Sequence, residues 1–137
     1  MRDYIHKVQY YETDKMAIVH HSNYIRWFEE ARVDWLEQIG CPMQSIEKED
    51  VMIPVMSVTC NYHSMVRFGD EVAVKVKIAK FNGVKIEIEY EIVDVATGEL
   101  RTTGSSTHCF IDGNGKLMSL KKSKPEMYEC MMKGSEN

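Results

Sequence analysis

Asp14 lies in the run Tyr11-Glu12-Thr13-Asp14-Lys15-Met16-Ala17-Ile18-Val19-His20-His21-Ser22-Asn23-Tyr24. A β-like segment ends just before it, and seven residues separate it from Ser22, where helical spacing begins. A carboxylate is thereby close in sequence to the N–H groups of a helix start. The first can attack an electrophile or activate water; the second can hold a developing oxyanion. Hydrolysis of an activated acyl compound uses both. Alone, an Asp at such a place is a solvated turn residue or a cap. The neighbouring motif sets Asp14 apart.

Other polar residues have plainer readings. His20 and His21 could join Asp14 or His63 at a metal, but adjacent histidines point apart and no third ligand has diagnostic spacing. No metal and no cofactor are expected. His6, His63 and His108 are read as structural or surface residues. Glu29 and Arg32 stand three apart on the helix, the spacing of an ordinary surface pair. Glu29, central on the helix, could instead lie in a subunit interface.

The elements that must position Asp14 follow from periodicity. Lys7 to Tyr11 alternates weakly and predicts a first strand. Tyr24, Trp27, Phe28, Ala31, Trp35, Leu36 and Ile39 share a broad apolar helical face. Ser22 or Asn23 is expected to cap this helix, and Gly40 followed by Pro42 to end it. Its length is about eighteen residues, or roughly 27 Å. Trp27, Phe28 and Trp35 are core candidates.

Period-two patterning takes over from Val55 to Val66, then in Val72–Ile78, Val84–Ile92 and Leu100–Ile111. Asn82-Gly83 predicts a hairpin. Leu117 to Leu120 is expected to extend the sheet. Ser123-Lys124-Pro125-Glu126 reads as a capping box before a short C-terminal helix. A long helix covering one face of an antiparallel sheet is an α+β architecture.

Composition narrows the classes. The chain has 137 residues, 44% of them hydrophobic, which suits one domain over residues 1–137. A formal net charge of -4 argues against nucleic acid as a partner. No apolar run approaches the roughly 20 residues of a membrane helix, and the N-terminus lacks a signal-peptide core, so a cytoplasmic location is the expectation. Cys41, Cys60, Cys109 and Cys130 have neither metal nor disulfide spacing and are read as reduced thiols.

Tyr10-Tyr11-Glu12-Thr13-Asp14, Ile18-Val19-His20-His21-Ser22-Asn23-Tyr24, Glu29-Glu30-Ala31-Arg32 and Arg67-Phe68-Gly69-Asp70-Glu71-Val72 together resemble the 4-hydroxybenzoyl-CoA thioesterase-like acyl-CoA thioesterases. The resemblance implies the hotdog fold, a long helix wrapped by a curved sheet. It implies Asp14 as the catalytic carboxylate, nucleophile or general base, and the His21 backbone N–H as the donor to the thioester carbonyl. It also implies an acyl-CoA substrate and a homodimer at least, assembling to a homotetramer, with active sites at the subunit interface. Val19, Asn23 and Tyr24 are the candidate substrate contacts, though Asn23 could simply cap and Tyr24 be core. Arg67, Lys80 and Lys85 are candidates for the CoA phosphates.

Ala17 stands where the family usually has Gly. That predicts a tighter loop or a backbone that avoids positive φ. Two other classes use this fold: a non-catalytic acyl-CoA or acyl-carrier binder, and an acyl-thioester dehydratase pairing His20 or His21 with Glu29. The intact Asp14 and helix-start motif argues against the binder, and the spacing of His20 or His21 to Glu29 matches a dehydratase poorly.

Overall fold

The computed structural model describes residues 1–136. Its elements are β1 (Tyr4–Lys7), a 3-10 turn (Tyr10–Glu12), α1 (Ser22–Gln38), α2 (Met43–Lys48), β2 (Val55–Tyr62), β3 (Glu71–Phe81), β4 (Lys85–Asp94), β5 (Leu100–Cys109), α3 (Leu120–Ser123) and α4 (Pro125–Ser135). The strands form one antiparallel sheet in the order β1-β3-β4-β5-β2. The architecture is the expected α+β.

Alternation explains which face is covered. Val72, Val74, Ile86, Ile88, Tyr90 and Ile92 are buried beneath α1. The opposite face carries opposite charges across the strands, Lys75 facing Glu91 and Lys77 facing Glu89 in register. Asn82-Gly83 makes the β3–β4 turn, with Gly83 at φ 85 and the Asn82 Oδ1 accepting from the Val84 and Lys85 N–H groups.

Helix α1 lays Tyr24, Trp27, Phe28, Ala31, Trp35 and Leu36 on the sheet. Burying each of the larger ones contributes roughly 2–3 kcal/mol. Phe28 stacks on Tyr90 with centroids 4.3 Å apart. This close approach requires Gly104, because a Cβ there would stand 2.5 Å from the Phe28 ring and 2.6 Å from the Thr59 carbonyl oxygen. The helix ends in a Schellman motif. Gly40 has φ 87, its N–H bonds the Glu37 carbonyl, and the Cys41 N–H bonds the Leu36 carbonyl.

Several expectations are corrected at the element ends. The first strand lies earlier, at Tyr4–Lys7, and Tyr10–Glu12 is a 3-10 turn. The turn forms because the Glu12 side chain folds back onto the Gln9 N–H. Strand β2 stops at Tyr62 because the His63 and Ser64 N–H groups both curl onto the Arg101 carbonyl. Leu117 makes only an isolated bridge to Ile111, and Leu120 begins α3, its N–H on the Gly83 carbonyl. Ser123 closes α3, so it cannot cap α4, whose N-cap is Lys124 with Pro125 following. The N-cap of α1 is His21, and it is the His20 imidazole, not Ser22 or Asn23, that takes the Ser22 N–H at 3.2 Å.

Candidate active site

Asp14 is half-buried in a tight loop closed by a bridge between Thr13 and Val19. Within the loop the Asp14 N–H bonds the Ile18 carbonyl at 2.9 Å, and the Ala17 N–H bonds the Asp14 carbonyl at 3.0 Å. The Met16 N–H donates to Asp14 Oδ1 at 2.8 Å. That bond fixes the carboxylate's direction and leaves Oδ2 without a partner among the described residues. Ala17 sits at φ 64. The expected avoidance of positive φ is therefore overturned: the loop keeps the left-handed turn, and an alanine occupies it at a cost of about 1–2 kcal/mol.

Glu12 anchors the loop to the helix. Its backbone carbonyl accepts the His20 N–H at 2.9 Å and the Asn23 side-chain amide at 2.9 Å. Its carboxylate is buried and takes three donors. The Gln9 N–H and His6 Nε2 meet Oε1, each at 2.8 Å, and the Trp27 indole N–H meets Oε2 at 2.7 Å. Burial pushes the Glu12 carboxyl up, but the Gln9 N–H, the His6 ring and the Trp27 indole together outweigh it, so its pKa lies below the ordinary range. His6 Nδ1 also lies 3.4 Å from Glu30, which accepts the Tyr4 hydroxyl at 2.9 Å. One ionised, fully bonded side chain thus ties together β1, the 3-10 turn and α1.

This clamp sets Asp14 and the start of α1 at one end of the molecule. His21 is exposed there, and its carbonyl accepts the Tyr62 hydroxyl at 3.4 Å. Its N–H meets no acceptor among the described residues. A carboxylate oxygen and a helix-start N–H, both unengaged, can together take a carbonyl compound: one delivers a nucleophile and the other holds the oxyanion. Asn23 is buried with its amide on Glu12. Val19 is buried with its N–H on the Val66 carbonyl. Tyr24 is buried with its ring 5.1 Å from both Trp27 and Tyr62. All three are held in the interior by contacts within the chain.

The basic candidates divide. Arg67 follows Val66, whose carbonyl holds Val19, and so lies at the Asp14 end. Lys80 and Lys85 lie at the far end of β3, roughly 30 Å away along the strand. Glu29 and Arg32 do not pair; Arg32 instead donates to the Tyr90 hydroxyl at 3.2 Å. Glu12 was the residue missed in the sequence. Its signal was present: Trp27, on the apolar helix face, carries an indole N–H that needs a buried acceptor.

Residues 8–130 match the family model described as the thioesterase-like superfamily. A solved structure described as the DHNA-CoA thioesterase from Staphylococcus aureus superposes with a TM-score of 0.91 at 32% identity, over 96% of this chain and 89% of that one. A Bacillus subtilis (strain 168) protein provisionally named the acyl-CoA thioesterase YneP is 30% identical over 131 residues, 95% of this chain and 94% of its own length. A Synechocystis sp. protein, sll0410, provisionally named an esterase, is 34% identical over 93% of this chain and 76% of its own. The chain adopts the hotdog fold, belongs to the thioesterase-like superfamily, and is by class a thioester hydrolase.

Proposed function

We propose that the protein hydrolyses an acyl-CoA to the free acid and CoA, with no metal or cofactor. The observation that carries this reading is the pairing at one end of α1: the Asp14 Oδ2 and the His21 N–H, each without an internal partner. In the reaction the thioester carbonyl oxygen accepts the His21 N–H. Asp14 then attacks the carbonyl carbon, giving a mixed anhydride that water cleaves, or takes a proton from the water that attacks directly. In both routes the C–S bond breaks and the sulfur leaves as the CoA thiolate. The names of the two thioesterase relatives above support CoA as the carrier.

The functional unit in this reading is a homodimer that can pair further into a tetramer. Strand β2 is a sheet edge with Val55, Met56, Val58 and Tyr62 exposed, the kind of edge that pairs with another chain. Antiparallel β2–β2 pairing about the strand centre sets Val55 of one copy beside the partner's Tyr62, and so beside the partner's Asp14 end.

Thiol release from a panel of acyl-CoAs tests the chemistry. Asp14→Asn should lower the rate by at least about a thousandfold while thermal stability and oligomeric state stay unchanged. An Asp14→Asn variant that keeps most of its activity would overturn the reading.

A further inference from the structure

An imidazole does the work at the start of α1 that a hydroxyl or a carboxamide does at most helix starts. His21 is the N-cap, yet its angles, φ -55 and ψ -27, are already helical and its side chain makes no capping bond. Capping falls to His20, one residue earlier. Its Nδ1 lies 3.2 Å from the Ser22 N–H and 2.9 Å from the Ser22 hydroxyl. A proton on Nδ1 would meet the Ser22 N–H head-on. The ring is therefore neutral with its proton on Nε2, and the Ser22 hydroxyl can only donate to Nδ1.

A helix start carries several N–H groups with no acceptor inside the helix. His20 engages two of them, the Ser22 N–H through its ring and the Asn23 N–H through its carbonyl, at 3.0 Å. That carbonyl and the His21 N–H belong to one trans peptide plane and point opposite ways. With the carbonyl aimed at Asn23, the His21 N–H is aimed away from the helix. His20 is itself fixed from behind. Its N–H bonds the Glu12 carbonyl at 2.9 Å, and the Val19 N–H before it bonds the Val66 carbonyl at 2.8 Å. Its ring lies against that of His21, with centroids 4.2 Å apart. The imidazole thus ties the first turn of α1 to the loop that carries Asp14.

We infer that His20 is a positioning residue for the hydrolysis: by accepting the Ser22 N–H at Nδ1, it holds the His21 N–H in the direction from which it meets the thioester oxygen. The inference rests on the hydrolase reading. His20 touches no reacting atom in it and acts only through the peptide that follows. A donor to an oxyanion is effective when it is held in place before the charge develops. A displacement of about 1 Å can lower the rate about a hundredfold. From sequence His20 was a candidate metal ligand or dehydratase residue. Its Nδ1 lone pair is instead engaged by a backbone N–H.

Two substitutions separate the acceptor from the ring. His20→Asn removes the ring but keeps an acceptor oxygen at the same distance along the side chain as Nδ1, and asparagine is a common capping residue. His20→Phe keeps an aromatic ring beside His21 and has no acceptor. In thiol release from the acyl-CoA panel, His20→Asn should stay within a few-fold of wild type. His20→Phe should lose roughly tenfold to a hundredfold in kcat with KM little changed. That loss should pass through His21. In His21→Pro, which has no N–H to direct, adding His20→Phe should lower kcat no further. Should His20→Phe not fold, His20→Ala removes the same acceptor. A cap that only stabilises α1 would lower the Tm of His20→Phe and leave its kcat at the wild-type value. That result would overturn the inference and leave the hydrolase reading intact. So would a loss in His20→Asn as deep as that in His20→Phe, or a loss that repeats in full on the His21→Pro background. A wild-type protein that releases no thiol from any acyl-CoA would overturn the hydrolase reading and this inference with it.

Discussion

Two buried polar networks flank α1, and they end differently. At the N-terminal end every atom of the Glu12 carboxylate is engaged by Gln9, His6 and Trp27. Along the middle of the helix the Arg32–Tyr90–Ser106–His108 chain is engaged at each link except the last. A network with every group satisfied makes a rigid joint, because any displacement breaks a bond in a low-dielectric interior. The second network joins Arg32 on the helix to Tyr90, Ser106 and His108 on the sheet and ends at a ring sealed from solvent. The first network therefore holds the Asp14 loop against α1, and the second ties the middle of α1 to the sheet.

Breaking the rigid joint should have the largest effect. Glu12→Ala leaves the Trp27 indole, the Gln9 N–H and the His6 ring without their buried acceptor. We expect a loss of about 3–5 kcal/mol in urea unfolding, together with loss of thiol release as Asp14 and α1 separate. A loss under 1 kcal/mol would mean that water replaces the carboxylate and that the joint is not rigid.

The donor at the helix start can be removed without moving the joint. His21 has φ -55, which proline adopts. His21→Pro should lower kcat by about 10²–10³. His21→Ala keeps the N–H and should stay within a few-fold of wild type. Equal losses in the two variants would place the contribution of His21 in its imidazole instead.

Lowering the pH separates the networks by their charge. An unfolded histidine binds its proton near 6.5, whereas folded His108 does so near 4. Between those values the unfolded chain holds more protons, so stability falls as the pH falls. The loss from pH 6.5 to 5 should be about 1.5 kcal/mol, and His108→Phe should abolish that part. Glu12 and Asp94 act lower on the scale. The Arg101 guanidinium and the Thr97 and Ala96 N–H groups outweigh burial and hold the Asp94 carboxyl below its usual range. The stability these two carboxylates supply is present above the ordinary carboxylate pKa and is lost as the pH drops through their lowered values. A flat profile between pH 7 and 5 would remove the neutral buried His108.

The smallest expected change concerns the loop itself. Ala17→Gly relieves the left-handed strain at φ 64 but adds freedom to the unfolded chain. We expect a net stabilisation of a few tenths to about 1 kcal/mol, seen as a modest rise in Tm. A destabilised variant would show that the Ala17 methyl makes contacts that outweigh the strain.

Much of this was legible along the chain, for local reasons. The apolar spacing from Tyr24 to Ile39 specifies α1, and Gly40 specifies its end. Asn82-Gly83 specifies the turn, because few other residue pairs accept its backbone angles. Asp14 and His21 were marked as candidates by the motif around them and by the helix start at Ser22, although the strand end expected before Asp14 is a 3-10 turn. Misread positions share one physical cause: specific hydrogen-bond partners, near or far, overrode the periodicity. Tyr10–Glu12 left the extended state because the Glu12 side chain folds back onto Gln9. Ser123 lost its capping role to the helical turn formed ahead of it. Arg32 passed over Glu29, three residues away, for Tyr90 on the sheet.

Local periodicity and turn chemistry by themselves determined the helix, the sheet and the β3–β4 turn, because those depend on neighbours a few residues apart. Only the tertiary structure decided that Glu12 joins the Asp14 loop to α1 and that His108 ends a buried polar chain reaching from Arg32. A buried polar group takes its role from the partner it finds, and those partners lie up to 58 residues away, as Tyr90 does from Arg32.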